Sequence, residues 1–530
     1  MKKINLLLSV FVLIYVIIFN SCKEDVDLTI KGITLAKTTL TLKPGVTETL
    51  TYTLFPAEAK NKNVNWDSSD STVVKVDKMG LVTAIKPGNA VISVTTQENN
   101  EKASCAVTVT LNDPLTVSGA VEGIWKKYSV VNVTGQINVP AGKILTIEEG
   151  VEVIFNDAGQ DANGTKIEFI INGNLYINGT KSDPVLLSVA SSKRTVENTF
   201  KRLWGGIIGS KTCNEILFEY VIIEYTGAIT TTTSPSVTAG LFKAGGGEGM
   251  VAFNTNNPSG KYVITNSVFR STGEDAIYVQ GGSCIFTNNL FYAVGEAGGE
   301  AINVKAGCKV DAAYNVMYSA NTNALKLSNS GADGGARFQA QINGYNNTII
   351  NSGWRRDPNK PKGGSVWAEA GCLVNVYNNL VINCMFAAKA PKFGISATDG
   401  PDLNSKIDYN FNASGTQQST IPQHITNGTI TAYDGFKPGV KDVVYGVKDV
   451  SGTSAGDKDP KFVNFPFTSN PLLSFAFNTS WDFHLQAGSP ALTGGKTDFI
   501  PYFSNTGVTV KGKEFKSPLP SAFFGAYGTK

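Results

Sequence analysis

The chain has 530 residues, 42% hydrophobic and 17% charged, with 46 basic against 43 acidic side chains for a formal charge of +3. That balance supplies apolar surface for several packed domains and excludes disorder as the dominant state. It gives no electrostatic case for a nucleic-acid partner, and with only His424 and His484 available, a His-rich metal site is excluded and a Ser-His-Asp triad has few candidates.

The first thirty residues read as an address. Lys2 and Lys3 precede an apolar run from Leu6 to Phe19, too short for a membrane span of about 20 residues but suited to the apolar region of an export signal. The run stops at Phe19-Asn20-Ser21-Cys22 and turns polar at Lys23-Glu24-Asp25. This resembles a bacterial lipoprotein signal over residues 1–21, with Phe19 where leucine is usual, and the Lys-Glu-Asp resembles the surface-export signal of Bacteroidetes lipoproteins. The resemblance implies a lipidated Cys22 as membrane anchor, a tether over 22–28, and a place on the outer membrane facing the cell exterior. The other six cysteines (105, 213, 284, 308, 372 and 384) form no CxxC pair and sit in apolar or β-patterned runs, which predicts buried thiols.

From about Thr29 to Thr110, short alternating segments are broken by turn residues: Leu40-Thr41-Leu42 before Lys43-Pro44-Gly45, then Val64-Asn65-Trp66, Val73-Val74-Lys75-Val76, Leu81-Val82-Thr83-Ala84 and Val91-Ile92-Ser93-Val94. Some seven strands in this length predict a β-sandwich with Trp66 plugging its core. These residues resemble the bacterial Ig-like group 2 domain over 29–111, which implies a stalk or spacer.

Beyond the Asn112-Asp113-Pro114 break the pattern becomes a repeat. Asn266-Ser267-Val268-Phe269 recurs as Asn288-Asn289-Leu290-Phe291, Asn315-Val316-Met317-Tyr318, Asn346-Asn347-Thr348-Ile349 and Asn378-Asn379-Leu380-Val381. Between these lies a second strand: Ala276-Ile277-Tyr278-Val279, Ala301-Ile302-Asn303-Val304, Ala324-Leu325-Lys326-Leu327 and Ser365-Val366-Trp367-Ala368. Units of this size close no core alone, so they stack. Asparagine suits a repeated turn because it tolerates left-handed φ and hydrogen-bonds along the stack. The fold class is therefore all-β: an Ig-like sandwich followed by a right-handed parallel β-helix over 115–530, with an irregular insertion near 391–460. The opening Leu-Thr-Ile-Glu-Glu-Gly-Val and the terminal Asp482-Phe483-His484-Leu485 stretch resemble the parallel β-helix repeat proteins of bacterial surfaces.

Alternation puts Ile277, Val279, Ile302, Val304, Leu325, Leu327 and Val366 inside, and stacks Tyr278, Asn303, Lys326 and Trp367 as an outward strip beside Gln280, Lys305, Ser328 and Glu369. An insertion carrying Trp354, Arg355, Arg356 and Asp357 is expected to fringe this face. Aromatic rings beside amide and charged groups suit sugar rings, whereas the plain reading is a solvated β-face. Directly before the strands stand Asp275, Glu300 and Asn323, one per rung. Two carboxylates about 4.8 Å apart suit acid catalysis, with Arg270 and Lys305 on a uronate, or a calcium ion held with Asn323.

Three functions stand open. The first is non-catalytic capture of a polysaccharide or glycoconjugate, or contact with an outer-membrane protein partner, without a cofactor. The second is a polysaccharide lyase or glycoside hydrolase using Asp275, Glu300, Arg270 or Lys305. The third is a structural accessory of an uptake complex. The Asp-Asp pair of polygalacturonases is absent from the sequence, and fold analogy alone carries no activity.

Overall fold

A computed structural model describes residues 28–245, 250–296, 298–356, 363–394, 396, 398–419 and 430–530. Cys22, the segment before it, Asp357 and His424 lie outside the described residues. The chain divides into two compact units, 1–111 and 112–530.

In the first unit the strands Thr39–Leu42, Lys102–Val109, Gly88–Thr96 and Val64–Ser68 form one sheet in that order, and Thr47–Thr49, Leu81–Ala84 and Val74–Val76 a second. Leu40, Leu42, Val74, Val82, Ile92, Cys105 and Val107 close the space between them. Trp66 is not the enclosed plug the sequence suggests: it is half-buried, because Val64–Ser68 is the edge strand of its sheet. Its ring meets Tyr52 edge-on at 6.2 Å. Gly80, at φ +82°, lies so close that a Cβ there would come within 2.8 Å of the indole.

The second unit is a parallel β-helix in which each turn lays one strand in each of three sheets. The first sheet runs from Gly123–Trp125 and Ile144–Glu148 through Lys261–Thr265 and Cys308–Ala313 to Leu373–Tyr377 and Lys406–Ile407. The second includes Glu152–Phe155, Val268–Thr272, Leu290–Val294, Val316–Ala320, Thr348–Ile350 and Leu380–Ile382. The third includes Phe169–Ile171, Ile207–Gly209, Phe253–Thr255, Ile277–Val279, Ile302–Val304, Leu325–Ser328 and Val366–Glu369. Inward side chains of all three merge into one continuous core, which is why no rung folds alone.

The repeated asparagines turn the corner from the first to the second sheet. Asn289, Asn315, Asn347, Asn379 and Asn410 are each 3% exposed or less. In each, Oδ1 accepts the backbone N–H of the residue one rung before, and where that residue is asparagine, its Nδ2 as well. Just before these five and before Ser267, which holds the same place one rung earlier, Asn266, Asn288, Tyr314, Asn346, Asn378 and Tyr409 take the left-handed conformation, φ between +49° and +57°. Asn315 therefore matches Asn289 and Asn347, and the repeat read as Asn315-Val316-Met317-Tyr318 is Tyr314-Asn315-Val316-Met317. The two frames differ because tyrosine stands at a left-handed position that asparagine fills in the neighbouring repeats.

The stretch 391–460 is only partly an insertion, since Lys406–Ile407 and Phe411–Ala413 carry the first two sheets one rung further. Residues 460–530 add no parallel rung. Their strands pair antiparallel, Phe462–Asn464 with Asp482–Leu485 and Val508–Val510 with Lys513–Phe515, and they lie back along the outside of the helix.

Candidate binding face on the third sheet

The third-sheet strands are three or four residues long, so each offers one or two outward side chains. Pairing stacks Asn254, Tyr278, Asn303, Lys326 and Trp367 in one column. Lys389 extends it through a parallel bridge to Trp367. With rungs about 4.8 Å apart, Tyr278 to Lys389 covers about 19 Å. Two residues further along each strand run Gln280, Lys305, Ser328 and Glu369.

The column is recessed rather than freely solvated. Tyr278 and Trp367 are half-buried, while Asn303 and Ser328 are buried. The loop after Leu325–Ser328 lies along one margin of the column, where Arg337 reaches the Gln280 carbonyl and the Phe338 carbonyl accepts the Gly307 N–H at 2.7 Å. Within the recess Lys326 Nζ lies 3.3 Å from Glu369 Oε1, and Trp367 Nε1 donates to Glu369 Oε2 at 2.5 Å. Burial pushes the Glu369 carboxyl up, but Lys326, Trp367 and Lys305 outweigh it and hold the group below the usual carboxylate range. Lys305 Nζ sits 5.4 Å from the Tyr278 ring, and Lys389 Nζ is 4.1 Å from the Phe386 ring and 5.5 Å from that of Trp367. Burial, and then the charge of Lys326, lower the Lys305 ammonium.

Asp275 and Glu300 do meet, on adjacent rungs at the margin of this face, but as buried partners at 6% and 7% exposure. Asp275 Oδ1 accepts the backbone N–H groups of Gly299 (3.2 Å) and Glu300 (2.8 Å), and its Oδ2 accepts Asn303 Nδ2 at 2.8 Å. Asn323 Nδ2 donates to Glu300 Oε1 at 3.2 Å, and its Oδ1 accepts the Gly364 N–H. Burial first, then the facing Glu300, raise Asp275 well above the carboxylate range. Glu300 is pushed up by burial but falls on balance through its bond to Asp275 and the nearby Lys326. The two carboxyls are thus driven in opposite directions, Asp275 up and Glu300 down. Among the described residues no group of three His, Cys, Asp or Glu is placed to hold a metal.

Three residues expected around this face do not join it. Arg270 belongs to the second sheet, where its Nε binds Glu224 Oε2 at 2.5 Å and a terminal nitrogen donates to the Tyr292 hydroxyl at 2.8 Å. The turn between the two sheets separates it from Asp275. Trp354 is fully buried, its Nε1 donating to the Asn383 carbonyl at 2.7 Å while its ring packs with Ala432 and Leu472. Arg355 is a clamp inside the corner between rungs. It donates to Ser319 Oγ and to the carbonyls of Val294, Gly295 and Ser319 at 2.7–3.0 Å, with the Phe200 ring 5.1 Å away. Lys389 and Phe386 join the face without having stood out in the sequence. Their signal is the alternating Ala388-Lys389-Ala390 one rung after Trp367, hidden by a repeat that ends there without a full strand. His484 is held by Asp482, Nδ1 to Oδ1 2.6 Å, and stacks on Tyr527 at 4.8 Å, far from this column in the chain.

Residues 29–107 match the family bacterial Ig-like domain (group 2). Curated proteins similar to this segment include a lacto-N-biosidase of Bifidobacterium bifidum, 44% identical over 87 residues, or 16% of this chain and 8% of that protein. An α-L-arabinofuranosidase of Bifidobacterium longum is 42% identical over 80 residues, 15% of this chain and 8% of that one. An uncharacterised protein of Clostridium acetobutylicum gives the same identity and coverage. The chain thus spans about 8% of the length of these relatives. Among solved structures, a bacterial Ig-like domain containing GH10 xylanase from termite gut is 13% identical, at a TM-score of 0.13, covering 43% of this chain and 62% of that one.

Proposed function

We propose that this chain is a lipid-anchored surface protein that captures a polysaccharide or glycoconjugate without cleaving it. In this reading Cys22 carries the lipid at the outer membrane, the Ig-like domain is a spacer, and the third-sheet column is the capturing face. The observation that carries it is the in-register column in which Tyr278 and Trp367, three rungs or about 14 Å apart, bracket amide and ammonium groups. Aromatic rings take the apolar faces of sugars, and the groups between them reach the hydroxyl edges. The Ig-like domain's likeness to segments of a lacto-N-biosidase and an α-L-arabinofuranosidase supports a carbohydrate setting. One observation favours a second reading, a lyase or hydrolase: Asp275 and Glu300 meet as buried carboxyls whose pKa values are driven apart, as those of an acid–base pair are.

The test is the whole chain, purified in detergent, incubated with a polysaccharide panel and scored for retention and for product. Retention that Trp367→Ala abolishes supports capture. New reducing ends or unsaturated-uronate absorbance overturn the non-catalytic reading and point to Asp275→Asn and Glu300→Gln. Neither retention nor product on any glycan overturns both.

A further inference from the structure

Three lysines stand on three of four successive rungs of the third sheet: Lys305, Lys326 and, past the Trp367 rung, Lys389. Facing them are Glu369 and the Asp275–Glu300 pair, with Asp442 near Lys389 but forming no ion pair with it. Glu369 is taken by Lys326 and Trp367, and the acids of the pair turn to each other and to Asn303, Asn323 and the backbone. The ammonium groups of Lys305 and Lys389 are left, among the described residues, without an ion pair or hydrogen bond, although Lys389 is only 8% exposed. Their neighbours are ring faces: Tyr278 for Lys305, Phe386 and Trp367 for Lys389. A ring attracts a cation but leaves most of the three N–H donors of an ammonium unused. Neither Nζ is among the fully enclosed unpartnered atoms, so both tips keep some exposure to solvent.

We infer that the third-sheet recess is built for an anionic glycan, one bearing carboxylate or sulfate groups, with Lys305 and Lys389 as the counter-charges. The inference rests on the capture reading above and names its ligand class. An anion entering the recess brings the acceptors that the two ammonium groups lack, in a setting of reduced dielectric where a charge-assisted bond is strong. The rings that cage the lysines are the same rings a pyranose lies against, so charge and sugar are read at one place. Lys305 and Lys389 stand three rungs, about 14 Å, apart along the helix axis, so an extended chain along the column meets both. A neutral glycan offers hydroxyl acceptors but leaves both ammonium groups without a counter-charge.

The experiment measures binding of the detergent-purified chain to polygalacturonate, to sulfated and unsulfated dextran, to neutral xylan and galactan, and to polyglutamate, each at low and high salt. The expected result is retention of one acidic glycan at least tenfold tighter than of any neutral one, weakening as salt rises. Whichever of the carboxylated and sulfated ligands binds tighter names the anion. Lys305→Met and Lys389→Met keep the stems and should each lose about tenfold or more on the acidic glycan, the worth of a hydrogen bond to a charged group. Lys211→Met, exposed and outside the recess, should lose nothing. The salt dependence of the unaltered chain tests the idea even if a variant fails to fold. Neutral glycans bound as tightly as acidic ones would overturn this inference and leave capture standing. No retention on any glycan would sink both. Polyglutamate bound as well as the acidic glycans, or an equal loss in Lys211→Met, would overturn the inference by showing unspecific charge attraction.

Discussion

Replacing one asparagine of the buried ladder tests whether the β-helix is held by side-chain amides as well as by its apolar core. Asn347 is fully buried. Its Oδ1 accepts the Asn315 N–H at 3.0 Å and Asn315 Nδ2 at 2.9 Å; its own Nδ2 donates to the Ala312 carbonyl at 3.0 Å and to Asn379 Oδ1 at 2.9 Å. Asn347→Ala orphans a backbone N–H and an amide hydrogen of Asn315 and leaves a small void. At about 1–3 kcal/mol for each buried unpaired donor, with a cavity term added, the loss comes to roughly 3–6 kcal/mol. Asn347→Asp separates the two contributions, because it keeps the volume and the acceptor but sets a carboxylate oxygen against two carbonyl-type acceptors. Burial raises the pKa of such a group in the folded state, so its protonated form regains one donor and the defect shrinks as pH falls. Urea unfolding followed by tryptophan fluorescence reads the global loss. Because a solenoid opens locally, hydrogen exchange of the peptide spanning 312–318 reads it at the site. An Asn347→Asp protein with unchanged urea midpoint and exchange at neutral pH would refute the ladder as a stabilising element.

Burial pushes Asp449, which accepts the Asn410 N–H at 2.7 Å beyond the end of the ladder, up to about 6. A raised folded-state value means that its contribution, about 3 kcal/mol at most, is fully present below about pH 4 and is lost as pH rises through 6; Asp449→Asn should flatten the Tm profile across that window, and an unchanged profile would contradict it. Arg355→Met strips four donations from inside the corner and should cost about 3–5 kcal/mol in urea unfolding, with Arg355→Lys giving little rescue because the planar fork is lost; a loss under about 1 kcal/mol would show the clamp to be idle. Burial raises the thiols of Cys308 and Cys384 to about 12, and all six cysteines of the described residues are free and buried. A thiol reagent should therefore label none of these six in native protein and all six in denaturant, and rapid native labelling of any of them would place that cysteine outside the core.

The strand alternation was legible because inward and outward residues differ sharply in type: Ile277-Tyr278-Val279 and Leu325-Lys326-Leu327 announce their own pleat. The asparagine turns were legible as a repeat, but their frame was not, since Tyr314 and Tyr409 take the same left-handed conformation as Asn288. Depth was the least legible property. Trp354 and Arg355 sit in a polar-looking loop, and nothing local says that Phe200, far earlier in the chain, and Ala432 close over them. The same holds for Asp275 and Glu300. Their adjacency follows from register, whereas their burial depends on the glycine-rich turn at 298–299 and on Gly364, which bring backbone against the carboxyl groups and Asn323.

The outward columns explain which face is left for a ligand. On the first sheet Tyr176, Leu217, Val263 and Ile285 stack in register, and Phe503, Val508 and Val510 pack onto them. Where that column turns polar, at Asp311, its carboxylate accepts the N–H groups of Tyr502 and Phe503, which fixes the returning chain. The second sheet offers Tyr292, Tyr318, Ile350 and Ile382, and Phe477 and Trp481 join the cluster that covers them. On the third sheet the early residues Ile170 and Ile208 are apolar and lie under Met250, Leu241 and Phe242. From Asn254 onward the column becomes amide, ring and ammonium. An outward apolar column has to be covered in water, and here residues 460–530 supply the cover for two sheets. A column of polar groups and half-buried rings does not require one. The change of chemistry at Asn254 therefore marks, within the third sheet, where an outward column that needs an apolar cover gives way to one that does not.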